Sequence, residues 1–140
     1  MRVLIVDDDA MIGMLLGDML GAMGHEIDPL ETTQLGAVAA AARQRPDLMI
    51  VDVGLGVGCG IAAMDEVLLG GFVPHIFMSG NVKRVEAIRP GTQVLQKPFD
   101  WNRLEAAIDA ALHHAVALAH RSLVLVSVPG TDALANGSAA

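Results

Sequence analysis

Apolar residues follow two rhythms along this chain. Short unbroken runs stand at 3–6 (Val-Leu-Ile-Val) and 48–51 (Leu-Met-Ile-Val), each closed by aspartate. Without alternation, such runs read as strands buried on both faces, as in the middle of a parallel sheet. Residues 75–78 and 93–96 form two more strands, the first opened by Pro74 and the second closed by Lys97-Pro98. A weaker run at 25–30 contains Pro29, which suits an edge strand because proline donates no ladder bond.

Between these runs the spacing turns helical. Ile12, Leu15, Leu16, Met19, Leu20 and Met23 mark one face of a helix over 10–23, stopped by Gly24. Thr32 or Thr33 caps a second helix with an expected inner face of Leu35, Val38, Ala39 and Ala42. A third follows at about 60–69, packing Ile61, Met64 and Leu68. The fourth, over 82–88, is barely two turns before Pro90-Gly91. Asp100 caps the last, predicted over 101–119 with Leu104, Ile108, Leu112 and Ala115 inward.

Five strands alternating with five helices give an α/β fold: a parallel sheet with right-handed crossovers and helices on both faces, a three-layer sandwich. Such sheets bind ligands at the carboxyl ends of their strands. Asp7 and Asp8 end the first strand, Asp52 the third, Ser79 the fourth and Lys97 the fifth, so these groups are expected on one rim. Three carboxylates there repel one another unless a cation intervenes, and an all-oxygen set points to Mg²⁺. A hydroxyl and an ammonium beside them complete a cradle for a phosphoryl group.

Composition narrows the partners. The 140 residues suit one domain whose core needs no disulfide or metal staple. A single cysteine, Cys59, excludes a disulfide framework or Cys-based zinc site and suggests a reducing compartment. The amino terminus turns acidic too early for a signal peptide, and no apolar run spans a membrane, so a cytoplasmic location is expected. A formal charge of −7 opposes binding to nucleic acid or an anionic membrane, leaving another protein as the expected partner.

Asp7-Asp8, Asp52, Ser79 and Lys97-Pro98-Phe99, in that order over residues 1–119, resemble the receiver domain of two-component response regulators. The resemblance implies a flavodoxin-like sheet of order 2-1-3-4-5. It implies that Asp52 accepts a phosphoryl group from a sensor histidine kinase or histidine phosphotransfer protein. Asp8 would contact Mg²⁺ directly, Asp7 through water, and Gly54 through its backbone carbonyl, with Asp52 completing the metal site. Ser79 would bond a phosphoryl oxygen, Lys97 would pair with it, and the Lys97-Pro98 bond would be cis. By the same resemblance the domain is a phosphorylation-dependent switch or relay acting on a downstream protein, not a turnover enzyme.

This chain departs from the usual receiver pattern. Gly54, Gly56 and Cys59 replace the common acid, amide or proline positions after the acceptor, which leaves hydrolysis of the acyl phosphate open. Val94 stands where an aromatic switch residue is usual. That absence, Phe77-Met78-Ser79-Gly80 and the short fourth helix resemble the single-domain receivers called FATGUY, in which order and disorder around 82–90 would replace the ring swing.

Rival readings are weaker. Gly58-Cys59-Gly60-Ile61-Ala62-Ala63 matches G-x-G-x-x-A, but a dinucleotide fingerprint follows the first strand, where this chain has acids. Asp7-Asp8-Asp9 contains the D-x-D of haloacid-dehalogenase-type, Mg²⁺-dependent phosphohydrolases, without that family's later acidic pair or cap. A constitutive receiver-like adaptor is the third alternative. Asp9 reads as a helix cap, Cys59 as an inert loop thiol, and His25, His75, His113 and His114 as groups without metal partners. Residues 120–140 form a tail too short for an output domain; 121–128 has strand propensity, and the tail is read either as disordered or as an added strand that could form a homodimer.

Overall fold

The structure is a computed structural model that describes residues 1–127. Five strands, β1 (Arg2–Val6), β2 (Glu26–Ile27), β3 (Leu48–Asp52), β4 (His75–Ser79) and β5 (Val94–Gln96), alternate with five helices, α1 (Ala10–Ala22), α2 (Gln34–Arg43), α3 (Gly60–Leu68), α4 (Val82–Ile88) and α5 (Trp101–Ser127). The sheet is parallel throughout, in the order β2-β1-β3-β4-β5. All five expected strands and helices are present, in the expected order.

The missing alternation in β1, β3 and β4 has a direct structural cause. Leu4, Val6, Met49, Val51 and Phe77 point into one layer with Ala37, Ala41, Ala63, Met64 and Val67 of α2 and α3. Their neighbours Val3, Ile5, Leu48, Ile50, Ile76 and Met78 point into the other, against Leu16, Leu20, Leu104 and Ile108 of α1 and α5. Both faces of the sheet are dry, so every strand position gains from being apolar. β2 is only two residues long, but Asp28 and Glu31 donate N–H bonds to the carbonyls of Val3 and Ile5 and carry its pairing past Pro29.

Three expectations require correction. In α2 the buried residues are Ala37 and Ala41, with Val38 at their flank; Leu35 is 80 % exposed, and Ala39 and Ala42 also face solvent. An alanine-rich helix has little difference between faces to read, whereas small side chains let it lie close to α3. On α1, Leu15 is exposed rather than core-facing, and the layer is filled by Leu16 and Leu20. Finally, α5 does not end near residue 119. It continues to Ser127, so residues 121–127 are helical and form no strand there, while residues 128–140 of the tail lie outside the described residues.

Candidate functional site

The strand ends meet as expected. Asp52 is the last residue of β3, and Ser79 is the last of β4. Asp7 and Asp8 follow β1, and Lys97 follows β5, where its N–H donates to the Ser79 carbonyl at 2.9 Å. One carboxylate oxygen from each of Asp7, Asp8 and Asp52 lies within 4.8 Å of the others. Lys97 Nζ donates to Asp52 Oδ2 at 3.0 Å and to Asp7 Oδ2 at 3.4 Å. The Lys97-Pro98 peptide is cis.

Backbone donors orient the acids. The Asp9 N–H holds Asp7 Oδ1 at 2.9 Å, the Gly54 N–H holds Asp52 Oδ1 at 3.2 Å, and the Gly56 N–H holds Asp8 Oδ2 at 2.9 Å. Asp7 is fully buried, Asp52 is 8 % exposed and Asp8 faces solvent. Burial pushes the Asp7 carboxyl above the ordinary aspartate range; the Asp9 N–H and Lys97 oppose the rise, and the Asp52 charge adds to it. Burial also pulls the Lys97 ammonium down, but the hydrogen bond and charge of Asp52, followed by Asp7, outweigh it and hold lysine above its usual value. Three acids against one lysine leave negative charge in excess. Their oxygen-only chemistry fits a small hard cation such as Mg²⁺, for which Asp7, Asp8, Asp52 and the Gly54 carbonyl are the candidate ligands.

A cleft of about 480 Å³ opens above Asp52, lined by Gly54, Ser79, Asn81, Arg84 and Lys97 among others. Ser79 Oγ accepts the Asn81 N–H at 3.0 Å and donates to the Asn81 carbonyl at 3.3 Å, so the hydroxyl is turned toward the start of α4. Asn81 Oδ1 in turn caps that helix by accepting the Arg84 N–H at 3.1 Å. The sequence pattern singles out neither Asn81 nor Arg84. The available signal was an asparagine immediately before a short helix that begins beside a strand-end serine.

The remaining candidates sit elsewhere. Asp9 caps α1, its Oδ1 accepting the Met11 and Ile12 N–H groups, and thus does not join Asp7 in a D-x-D pair. Cys59 is half-buried at the start of α3 and also lines the cleft. His75 packs between Phe72 and Phe77, and burial holds its imidazole below the ordinary histidine range. His113 and His114 are exposed on α5. Gly58 adopts a left-handed φ of +90° beside Gln34, and Gly60 lets α3 approach β3 closely. The glycine spacing therefore has a packing explanation.

The Asp7 geometry carries a stability prediction. Because its folded pKa is raised, the metal-free fold is favoured below the unfolded aspartate value, about 3.9, and loses stability as pH rises through the higher folded value. Asp7→Asn keeps an acceptor for the Asp9 N–H and leaves Lys97 paired with Asp52. It is expected to remove that decline, to raise the metal-free melting midpoint at pH 7 by about 3 °C and to diminish stabilisation by Mg²⁺. Melting curves across pH, with and without Mg²⁺, measure all three. A lower midpoint in metal-free Asp7→Asn would contradict the burial argument.

Comparison with known proteins gives the same frame. Residues 3–109 match the response regulator receiver domain. The KDP operon transcriptional regulatory protein KdpE of Escherichia coli is 34 % identical over 131 residues, covering 90 % of this chain and 58 % of its own length. Among solved structures, the response regulator PhyR from Brucella abortus superposes with a TM-score of 0.76 at 27 % identity, covering 90 % of this chain and 51 % of that one. The PhyR response regulator REC domain of Erythrobacter litoralis superposes with a TM-score of 0.72 at 34 % identity, covering 80 % of this chain and 89 % of that one. The chain thus spans 56 to 58 % of the length of the first curated relatives it matches. With the family match over most of its length, the sheet order and the converging strand ends all in agreement, this chain belongs to the response regulator receiver domain family.

Proposed function

We propose that Asp52 accepts a phosphoryl group from a phosphohistidine on a sensor kinase or phosphotransfer protein, and that the resulting change in charge switches a protein-binding surface. The observation that carries this reading is the carboxylate of Asp52, turned into an open cleft, fixed by the Gly54 N–H on one oxygen and by Lys97 on the other. An Asp52 oxygen would form the new P–O bond as the donor's P–N bond breaks, the leaving imidazole taking a proton from solvent. A carboxylate needs no general base for such an attack. Lys97 would follow the charge onto the phosphoryl oxygens, and a divalent cation bound by the acidic cluster would further screen their charge. Ser79 would exchange its bonds to Asn81 for one to the phosphoryl group, freeing the start of α4.

The proposed docking surface for the donor is the apolar face beside the cleft. Met11, Met14 and Leu15 of α1 are exposed, and Leu15 joins Ile12, Pro98 and Phe99 around an apolar hollow of about 320 Å³ next to Lys97. Among the described residues no helix is long and apolar enough to cross a membrane. The proposed setting is the cytoplasm, and the proposed output is a contact with a downstream protein.

Incubation with Mg²⁺ and phosphoramidate, followed by intact mass measurement, tests the reading. One phosphoryl group per chain is expected, blocked by EDTA and removed by hydroxylamine, as an acyl phosphate requires. Repeated turnover of simple phosphate esters would instead point to a hydrolase. A chain left unlabelled both by phosphoramidate and by phosphorylated kinase would point to a constitutive adaptor.

A further inference from the structure

We propose that Arg84 is a second phosphoryl-binding cation of this cleft, closing on the group that Asp52 carries and holding α4 toward it. The inference rests on the phosphoacceptor reading above and adds a residue to its site.

Charge balance motivates it. Lys97 and Arg84 are the two cations lining the cleft. The Lys97 ammonium is already shared between Asp52 and Asp7. The acyl phosphate carries a charge of about −1.5 to −2 near neutral pH where the Asp52 carboxylate carried a single one, and an ammonium still shared with Asp7 leaves the added charge unmet. Arg84 is exposed and forms no ion pair among the described residues, whereas Arg2, Arg43 and Arg89 each pair with an acid. Its side chain can turn toward new charge without breaking a bridge. A planar guanidinium also presents paired N–H donors that match phosphoryl oxygens.

The space and the backbone agree. A Cβ added at Gly54 or Gly80 would meet nothing within 4 Å, so two of the residues around the cleft leave the approach to Asp52 open. Arg84 is also tied to the rim through its main chain: its N–H is held by Asn81 Oδ1, and the Asn81 N–H is held by Ser79 Oγ. When Ser79 turns to the phosphoryl group, the link that fixes the α4 cap is released. A guanidinium already bound to the same group would then set where α4 comes to rest.

Beryllofluoride, a phosphoryl mimic, tests this in the whole chain, its binding in the presence of Mg²⁺ followed by fluorine NMR. Arg84→Ala is expected to weaken binding roughly fivefold, the scale of one solvent-screened charge-assisted contact, and Arg84→Lys to recover part of the loss. Lys83→Ala removes the same charge from the same helix at a residue that does not line the cleft, and is expected to bind as wild type. Should Arg84→Ala melt early, Arg84→Gln is read in its place, with the same expected loss. Unchanged affinity after removal of the guanidinium would overturn the proposal, as would an equal loss in Lys83→Ala, which would reveal only a general field. If wild type does not bind the mimic and takes no phosphoryl label, the acceptor reading itself fails. If wild type labels normally and Arg84→Ala retains full affinity, only the Arg84 assignment fails.

Discussion

Asp52→Asn is expected to take up no phosphoryl group under conditions that label wild type to completion, while remaining folded. The carboxylate contributes two things that an amide cannot: a nucleophilic oxygen and a negative charge that holds Lys97 at 3.0 Å. An asparagine can still accept the Gly54 N–H with its carbonyl oxygen, so the loop after β3 keeps its anchor. Its NH₂ would face the Lys97 ammonium, but lysine retains Asp7 as a partner. Removing one of three gathered acids also lowers their mutual repulsion, which limits the structural cost. Intact mass after phosphoramidate treatment gives the first result and a cooperative melt gives the second. A surviving label would move the chemistry to another acid, with exposed Asp8 the first to test by Asp8→Asn. Such a result would mean that the best-oriented carboxylate of the cleft is not its nucleophile.

How much of this was legible in the sequence follows from which signals are sharp. A strand buried on both faces stays apolar until it leaves the core, so its end can be read within a position or two. Asp52 closes β3, Ser79 closes β4, and Asp7 and Lys97 stand one residue beyond β1 and β5. The parallel topology did the rest, because it sends every strand out at the same rim. The caps Asp9 and Asp100 are equally plain, each bonding to N–H groups in the first turn of the following helix, whereas the sequence leaves Thr32 and Thr33 open and it is Thr33 that accepts the Gly36 N–H.

Weak contrast explains the misses. The α2 face is hard to read because Gln34–Arg43 contains five alanines, and burial there depends on closeness to α3 rather than on side-chain size. The end of α5 departs from expectation because valine and leucine near residue 124 favour strands only slightly. No glycine or proline interrupts the chain from Trp101 until Pro129, and extending an existing helix is easier than nucleating a new element. The direction of the Ser79 hydroxyl depends on local bonds to Asn81 that no spacing reveals.

Gly60→Val is expected to be the most destabilising single change near the site, through crowding rather than chemistry. Gly60 begins α3 directly beneath the end of β3, and its N–H bonds to the Val53 carbonyl at 3.1 Å. A Cβ there would overlap the Asp52 carbonyl oxygen and lie 2.9 Å from Val51 Cγ1. Backbone cannot swing aside as a side chain can, so either α3 must lift from the sheet or the end of β3 must move. Overpacking of this kind costs about 3 kcal/mol, which for a slope of about 1.5 kcal/mol per molar urea lowers the unfolding midpoint by roughly 2 M. Gly54→Ala is the matched control, since its added methyl meets open space and its carbonyl is retained; it should change stability by no more than about 0.5 kcal/mol. Because the crowding falls on Asp52 itself, any Gly60→Val protein that still folds should also label slowly. Wild-type stability and labelling in Gly60→Val would show that α3 does not need this close approach, and that the glycine after Cys59 must be explained by something other than packing.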